Sequence, residues 1–311
     1  EKFLKYQAQT TENPICLDIS DALGSFIYTK DKKKYLDFVA GVSAANLGHK
    51  NIKILNAVQN QINKYWHVMV YGEFLQEPSI KLCELISKNL PDSLSVTYLT
   101  NSGTEAIEAA MKLSKRVTGR SKIISANNGY HGNTQGAMSI MGFEDRKRAY
   151  RPLIPGIKFI DFNNCEHIKQ IDNNTASVIL ETIQGGAGFI LPNKGFLQQV
   201  KKKCDEVGAL LILDEIQPGI GRTGKLFGYE HYGVEPDIIC CGKGASSGLP
   251  LSIVLGSKEI MDLPDVGSMS STHSANPLVS VAGHENLKTL IEDGLIDNSE
   301  KLGKIFHKKL N

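Results

Sequence analysis

The sequence has no segment that would point to a membrane, and little that would point to a nucleic acid. None of its apolar runs is long enough to span a bilayer, and no basic-then-apolar segment near the start resembles a signal peptide. The net charge is only +2, and the lysine-rich stretches are short, as expected of solvated faces. Six cysteines without a CxxC spacing give no pattern for a metal site or a disulfide scaffold. We therefore expect a cytoplasmic protein with reduced thiols, without a metal, and without a membrane or nucleic-acid partner.

What the sequence does have is a regular alternation of apolar runs and helical patterns. Two amphipathic helices are predicted in "NIKILNAVQNQINKYW" and "PSIKLCELISKNL", and "SFIYTKDKKKYLDF" predicts an edge hairpin near the start. The apolar runs that follow are "SVTYLT", "SKIISA", "GIKFIDF", "ASVILE", "ALLILDE", "DIICCGKG" and "LSIVLG". This order predicts an α/β fold, in which a large, mostly parallel sheet is covered by helices on both faces.

Two adjacent carboxylates follow one of these runs. In "ALLILDEIQPGIGRTGK" the apolar residues end on Asp214 and Glu215. The carboxyl ends of strands are where open α/β sheets bind their ligands. The following "GIGRTGK" also matches parts of a dinucleotide fingerprint and of a P-loop. Both matches are weak, because five residues separate the strand from the first glycine and because the residue after the lysine is Leu226, which has no hydroxyl for Mg²⁺.

A second polar segment lies between a predicted strand and a predicted helix, in "TYLTNSGTEAIEAAMKLSKRVTG". Here Ser102, Gly103 and Thr104 combine two hydroxyls and a glycine with the free backbone N–H groups of a helix N-terminus. Such a combination forms a phosphate-sized anion site. An ordinary N-cap explains the same residues.

Two further strand ends carry groups that suit a planar ligand. Tyr130, between glycines in "GYHG", can lay its ring flat against such a ligand. The neighbouring His131 is equally explained as a structural hydrogen-bonding residue. Glu181 ends the run "ASVILE", where a loop-bracing role is an alternative to ligand binding.

Lys243 is the last of these strand-end groups. It is the only charged residue between Asp237 and Lys258, and glycines flank it in "CCGKGAS". An apolar setting lowers the pKa of a lysine amine and makes it a nucleophile for carbonyl groups. The alternative is a lysine on a surface loop.

Taken together, these four kinds of group match pyridoxal 5′-phosphate (PLP). The cofactor has a phosphate for the anion site, a flat ring for the tyrosine, a basic pyridine nitrogen for a carboxylate and an aldehyde for the lysine. A carboxylate beside the pyridine nitrogen keeps it protonated, which makes the ring an electron sink. Asp214 is the predicted pyridinium partner.

Six stretches, in this order along the chain, closely resemble the class III PLP-dependent aminotransferases, which act on ornithine, acetylornithine, 4-aminobutyrate and other ω-amino compounds. They are "NSGTEAIEAAMKLSKRVTGR", "YHGNTQGAMS", "ETIQGGAGF", "LLILDEIQPGIGRTGKLFGYEHYGVEPDI", "GKGASSGLPLS" and "SMSSTHSANPL". The resemblance implies a fold-type I transferase that moves an amino group from an ω-amino acid, an amine or a related amino acid to a 2-oxo acid. The last two stretches look more like the 4-aminobutyrate branch than the ornithine branch. Alternatives are decarboxylation or aminomutase chemistry on the same fold, a nucleotide-binding enzyme that uses the glycine loop, and a catalytically silent dimeric scaffold.

The resemblance also assigns roles to residues. Lys243 would hold the cofactor as a Schiff base and act as acid and base, with Asp214 as the second catalytic residue. Ser271 and Thr272 would reach across the interface of a homodimer to the partner's phosphate, so that two chains share each site. The residues implied around the cofactor are Ser102, Gly103, Thr104, Tyr130, His131, Glu181, Asp214, Gln217, Lys243, Ser271 and Thr272.

The substrate loops and the domain limits follow from the same resemblance. Val42, Ser43 and Tyr71 are candidate substrate-pocket residues, with a core or interface role as the alternative. Several family members have a glutamate where this chain has Gly186, which puts an ornithine-like substrate switch in doubt. We expect an N-terminal segment with the edge hairpin (1–40), a large cofactor-binding domain (41–276) and the start of a small C-terminal domain (277–311), whose completion would take on the order of 50 to 100 more residues.

Overall fold

Ten strands, eleven α-helices and five short 3₁₀ helices make up the secondary structure of residues 2–70 and 72–310, the part of the chain that the computed structural model describes. The strands are β1 (Ile19–Leu23), β2 (Phe26–Thr29), β3 (Lys34–Leu36), β4 (Val96–Thr100), β5 (Lys122–Ala126), β6 (Ile157–Ile160), β7 (Thr175–Glu181), β8 (Leu210–Asp214), β9 (Ile238–Cys241) and β10 (Ser252–Gly256). The helices are α1 (Lys2–Tyr6), α2 (Ala40–Ser43), α3 (Ile52–Ile62), α4 (Glu77–Ser87), α5 (Gly103–Thr118), α6 (Gln135–Ser139), α7 (Glu144–Lys147), α8 (Phe196–Val207), α9 (Lys258–Met261), α10 (Pro277–Glu292) and α11 (Leu295–Leu310).

The central sheet contains all seven strands that the apolar runs predict. Its order is β4-β10-β9-β8-β7-β5-β6, and only β10 runs antiparallel to its neighbours. In β8, Leu211 and Leu213 belong to one hydrophobic core, and Ile212 between them belongs to the other. Successive side chains of a strand point to opposite faces, so a strand buried on both faces needs a continuous apolar run. The predicted α/β class with a mostly parallel sheet is confirmed.

Helices cover both faces of this sheet. On one face α5 contributes Ile107 and Ala110 to the core, and Gly119 ends the helix in the left-handed conformation, as its sequence predicts. The other core contains Leu82 of α4 and Phe196 of α8. The long helix α10 packs against α3, against α4 and against the short 3₁₀ turn Lys243–Ser246.

A small antiparallel sheet lies outside the central one. Strands β2 and β3 form the predicted hairpin, and β1 adds a third strand to it. The sequence of β1 did not indicate a strand, because most of its residues are exposed and carry no apolar alternation. A bridge between Gly24 and His49 connects this sheet to the segment before α3.

The described residues contain neither a disulfide nor a metal-binding cluster, and their helices are not of the membrane-spanning kind. All six cysteines there are free thiols. No group of three or more His, Cys, Asp or Glu side chains in those ranges could hold a metal ion. None of the helices in residues 2–70 and 72–310 combines the length and the apolar character needed to cross a membrane.

Candidate active site

A cavity of about 540 Å³ opens at the edge of the central sheet where β7, β8 and β9 end. Pockets for small molecules commonly have a volume of roughly 300 to 1,000 Å³. The predicted site residues that line this cavity are Val42, Gly103, Thr104, Tyr130, His131, Glu181, Asp214, Gln217 and Lys243. The strand ends therefore bring most of the predicted groups into one place.

The N-terminus of α5 forms one wall of the cavity. Ser102 caps the helix, since its hydroxyl accepts a hydrogen bond from the backbone N–H of Glu105 at 3.4 Å. Gly103 and Thr104 occupy the first helical positions, whose N–H groups have no acceptor within the helix. The Thr104 side chain comes so close to Gly132, at φ +127°, that a Cβ on this glycine would collide with Oγ1 and Cβ of Thr104. The N-cap interpretation is confirmed for Ser102, while Gly103 and Thr104 line the cavity.

Asp214 is held by a buried histidine. Its Oδ2 lies 2.8 Å from Nδ1 of His131, and its Oδ1 accepts a hydrogen bond from the backbone N–H of Ile216 at 3.0 Å. On the other side of the imidazole, Nε2 lies 3.3 Å from the Ser125 hydroxyl. Burial opposes a charge on His131, but the hydrogen bond and the charge of Asp214, helped by Glu181, raise the pKa of the imidazole. His131 thus orients the Asp214 carboxylate, and this contact favours the charged imidazole.

Glu181, at the end of β7, braces two loops of the cavity. Its Oε2 accepts a hydrogen bond from the backbone N–H of Tyr130 at 2.9 Å, and its Oε1 accepts one from Gly185 at 3.0 Å. Burial raises the pKa of Glu181, and the charge of Asp214 adds to this, whereas His131 and the two N–H groups lower it. The loop-bracing interpretation is confirmed, and the same side chain lines the cavity.

The next carboxylate in sequence after Asp214, Glu215, is fully buried and does not line the cavity. Its oxygens accept hydrogen bonds from the Thr182 hydroxyl at 2.5 Å and from the backbone N–H groups of Gly228 at 2.7 Å and Tyr229 at 2.8 Å. Burial raises the pKa of Glu215 to about 7, although these three donors lower it. Glu215 therefore connects the end of β8 to the turn around Tyr229 and fixes the loop between them.

Lys243 sits in a strained turn that a distant helix supports. It begins the 3₁₀ turn after β9 with φ +43°, in the left-handed region that residues other than glycine rarely adopt. Asn286 on α10 donates hydrogen bonds from its side-chain amide to the carbonyls of Gly244 at 2.8 Å and Ala245 at 3.2 Å. The position of the lysine thus depends on a helix that is remote in sequence.

The amine of Lys243 is partly buried at the cavity wall. Burial lowers its pKa, against the charges of Asp214 and Glu181, which raise it. Among the described residues, no carboxylate oxygen lies within 4.0 Å of this amine. A lowered pKa increases the neutral fraction, which can attack a carbonyl or accept a proton. The alternative of a lysine on an exposed surface loop is wrong.

The predicted substrate loop meets the cavity at Val42, in the left-handed turn α2. Ser43 does not line the cavity, but its hydroxyl accepts a hydrogen bond from Nε2 of Gln217 at 3.3 Å. Its carbonyl accepts one from the Arg222 guanidinium at 3.0 Å. Tyr71, the third residue predicted for this pocket, lies outside the described residues.

Ser271 and Thr272 do not line the cavity of their own chain. The Ser271 hydroxyl accepts a hydrogen bond from the side-chain amide of Asn101 at 3.1 Å and lies 3.5 Å from a carboxylate oxygen of Glu105. The segment is therefore next to the start of α5. A role at the phosphate of a partner chain involves a second copy and stays a prediction.

Arg146, on α7, lines the cavity and was not identified from the sequence. Its guanidinium carbon lies 5.1 Å from the ring centre of Phe143 and 6.0 Å from that of Tyr130. The surrounding "FEDRKRAYR" mixes charges of both signs, which is typical of a solvated face. The one usable signal was Phe143 three residues earlier, a spacing that brings side chains together on a helix.

Comparisons with known proteins agree with this geometry. The family described as Aminotransferase class-III matches residues 6–311. The LysW-aminoadipate semialdehyde/glutamate semialdehyde transaminase of Sulfolobus acidocaldarius is 36% identical over 291 residues, covering 93% of this chain and 74% of that protein. The acetylornithine aminotransferase of Archaeoglobus fulgidus is 35% identical over 288 residues, covering 92% of this chain and 76% of that protein. Among solved structures, the ornithine aminotransferase of Toxoplasma gondii has a TM-score of 0.94 at 31% identity, covering 99% of this chain and 74% of that one.

The likeness to the Toxoplasma gondii enzyme extends over nearly the whole chain and confirms the fold-type I architecture. The family match covers far more than half of the chain, and the curated relatives exceed 30% identity over most of their length. The chain therefore belongs to the class-III aminotransferases, enzymes that transfer an amino group to a 2-oxo acid.

Proposed function

We propose that the cavity binds PLP and that the protein uses it to move an amino group from an ω-amino acid, an amine or a related amino acid to a 2-oxo acid. The observation that carries this proposal is the meeting of a partly buried lysine amine, a buried carboxylate, a tyrosine ring and a helix N-terminus at one cavity. The Toxoplasma gondii ornithine aminotransferase described above has PLP at partial occupancy in its active site.

The residues present fit this cofactor. Lys243 would hold it covalently, and Tyr130 would lie against its ring. Asp214, whose carboxylate His131 already orients, would face the ring nitrogen. The first N–H groups of α5, together with the Ser102 and Thr104 hydroxyls, would hold the phosphate. Gln217 would lie near the ring hydroxyl.

The side chains of the cavity supply the proton transfers and the charges. When bound, PLP supplies an electron sink for the electron pair that remains when the donor carbon loses its proton. The donor amine would first displace Lys243 from the cofactor. The freed Nζ would then accept that proton and pass it on to the cofactor, which requires the neutral amine that the lowered pKa of Lys243 favours. The Asp214 carboxylate provides the negative charge that keeps a neighbouring ring nitrogen protonated. His131 keeps this carboxylate in place through its Nδ1 contact.

The proposal includes a homodimer with shared sites. It is supported by the resemblance of the segment around Ser271 and Thr272 to one that crosses the interface in this family, and by its position next to the start of α5. Light scattering on the purified protein measures the mass directly. A monomer would remove the shared-site part of the proposal without affecting the part that rests on Lys243.

An absorbance spectrum after incubation with PLP tests the proposal. We expect a protein-bound band in the visible or near ultraviolet, and borohydride reduction should leave the cofactor covalently attached to the peptide that contains Lys243. Lys243→Ala should retain the fold but lose the band and the turnover. The matched control is Lys225→Ala, which removes an exposed lysine of the glycine loop. A folded protein without a band, or a Lys243→Ala variant that transaminates at a comparable rate, would overturn the proposal.

The amino donor is identified by a panel. We would assay acetylornithine, ornithine, 4-aminobutyrate and a simple amine with 2-oxoglutarate or pyruvate as acceptor. The relatives compared above are named for acetylornithine and for amino-acid semialdehydes, whereas two loop sequences favour 4-aminobutyrate. Formation of the amino acid that corresponds to the acceptor supports amino transfer. Release of carbon dioxide, or an isomer of the donor as the only product, would instead indicate decarboxylation or amine migration.

A further inference from the structure

Arg146 is the charged residue of the cavity that the proposed amino transfer does not use. The charged side chains that line the cavity within the described residues are Arg146, Glu181, Asp214 and Lys243. Three of them have roles in holding loops, the cofactor or a proton. Arg146 contributes a permanent positive charge to the lining of the cavity, because a guanidinium does not lose its proton in proteins.

No carboxylate in residues 2–70 and 72–310 forms an ion pair with this charge. Within the parts of the chain that the structure describes, no carboxylate oxygen lies within 4.0 Å of the Arg146 guanidinium. Its neighbour Glu144 pairs instead with Arg151 at 2.7 Å. Glu181 accepts from two backbone N–H groups, and Asp214 lies against a histidine. The positive charge is therefore available to a ligand.

Two aromatic rings hold the guanidinium without using its hydrogen-bond donors. Its carbon lies over Phe143 at 5.1 Å and over Tyr130 at 6.0 Å from the ring centres, within the range of cation–π contacts. Stacking occupies the flat face of a guanidinium and leaves the N–H groups at its edge to donate. On the cavity side, Gly186 has no side chain that could cover the guanidinium. A Cβ at this position would lie 3.3 Å from the Phe143 ring and 3.5 Å from Cβ of Tyr130, so this glycine is close to both aromatic residues. A planar anion with two oxygens suits such an edge best.

We propose that Arg146 is the specificity residue that binds a substrate carboxylate distant from the reacting amino or oxo group. This inference rests on the proposed amino transfer and names its substrate class. Two reactants can bring such a carboxylate: an ω-amino acid as donor, or a 2-oxo acid with a second carboxylate as acceptor. The chemistry at Arg146 is the same for both, a pair of charge-assisted hydrogen bonds to one carboxylate.

Steady-state kinetics of Arg146→Gln distinguish the two sources. The donor arm compares 4-aminobutyrate with butylamine, with pyruvate as acceptor in both cases. The acceptor arm compares 2-oxoglutarate with pyruvate, with butylamine as donor. We expect kcat/KM to fall about tenfold for the reactant that carries the distant carboxylate, and to stay within about twofold for butylamine with pyruvate. A fall in the donor arm identifies the donor as the reactant whose carboxylate Arg146 binds, and a fall in the acceptor arm identifies the acceptor.

Matched variants separate recognition from a general effect of charge. Arg146→Lys keeps the positive charge but loses the planar fork, so it should recover only part of the loss. Arg148→Gln removes an exposed arginine two residues away that does not line the cavity, and it should behave like the wild type. An equal loss for all four substrates, or no loss for any of them, would overturn the proposal.

Binding of butyrate tests the same inference without turnover, because butyrate has no amine and cannot react. Ligand-observed NMR on the purified protein should show that the Kd for butyrate rises about tenfold in Arg146→Gln but not in Arg148→Gln, while butyramide does not distinguish the variants. If the protein binds butyrate through Arg146 but never transaminates, the proposed function fails and the carboxylate site stands. If the protein transaminates but the Kd for butyrate is the same in the wild type and in Arg146→Gln, the carboxylate site is refuted and the proposed function is retained.

Discussion

Replacing Glu215 by glutamine should remove a dependence of stability on pH that the wild-type fold carries. The wild-type carboxylate is fully buried among three hydrogen-bond donors, from Thr182, Gly228 and Tyr229. Burial raises the pKa of Glu215 from its ordinary value of 4.5 to about 7. Between these two pH values the folded protein binds a proton that the unfolded chain has already released. The free energy of unfolding must therefore fall as the pH rises through this window.

The size of the effect follows from the two pKa values. With pKa values of 4.5 unfolded and about 7 folded, the contribution of Glu215 to the free energy of unfolding decreases by about 2.5 kcal/mol from pH 5 to pH 8. Glutamine does not titrate, so its contribution stays constant. Its amide has only one acceptor oxygen and leaves a backbone N–H at Gly228 or Tyr229 unpaired, which costs about 1–3 kcal/mol at every pH.

Urea unfolding of both proteins at pH 5, 6, 7 and 8 measures this directly. The wild type should exceed Glu215→Gln in stability at pH 5, and this advantage should shrink by about 2.5 kcal/mol at pH 8. Glu166→Gln is the control, because its carboxylate is solvent-exposed, with 85% of the side chain accessible, and its curve should run parallel to that of the wild type. A constant difference between wild type and Glu215→Gln across this range would refute the reasoning.

Two further substitutions test how the cavity walls are held. Gly132→Ala adds a Cβ that collides with Thr104 at a left-handed φ, so it should destabilise the fold by about 1–3 kcal/mol and weaken PLP binding in a spectral titration. Unchanged PLP affinity would contradict the close approach. Asn286→Leu removes both side-chain hydrogen bonds to the carbonyls after Lys243, so urea unfolding should show a loss of about 2 kcal/mol, and borohydride should trap less cofactor on Lys243. Normal trapping in a destabilised variant would show that Asn286 supports the fold but not the lysine.

The strands of the central sheet were predictable because their burial leaves a local pattern. A strand covered on both faces carries a mostly apolar run, as β7 and β8 do, and all seven apolar runs are strands of the central sheet. Strand β1 lacked such a pattern, because its residues are mostly exposed and pairing with β2 alone defines it. Pairing of this kind depends on the partner strand and not on the side chains of the strand itself.

The site was predictable to the extent that it lies at strand ends. The end of a parallel strand is visible in the sequence, and neighbouring parallel strands end at the same edge, so Asp214, Glu181 and Lys243 could be expected to meet. Glu215 is different, because its burial depends on a turn 13 residues later in the chain. Arg146 could not be told from its charged neighbours, since its place at the cavity wall depends on the Tyr130 ring, which lies 6.0 Å from its guanidinium carbon.

The single reversed strand of the sheet has a consequence for the order in which the protein folds during synthesis. Strand β4 pairs only with β10, and roughly 150 residues lie between the paired strands. On the ribosome, β4 leaves the exit tunnel long before its only partner has been made, and its edge stays unpaired during that time. Helix α5 follows β4 directly, so the connection between them is anchored on its β4 side only after β10 has been inserted between β4 and β9. We therefore expect the wall of the cavity formed by Gly103 and Thr104 to be among the last parts of the molecule to form.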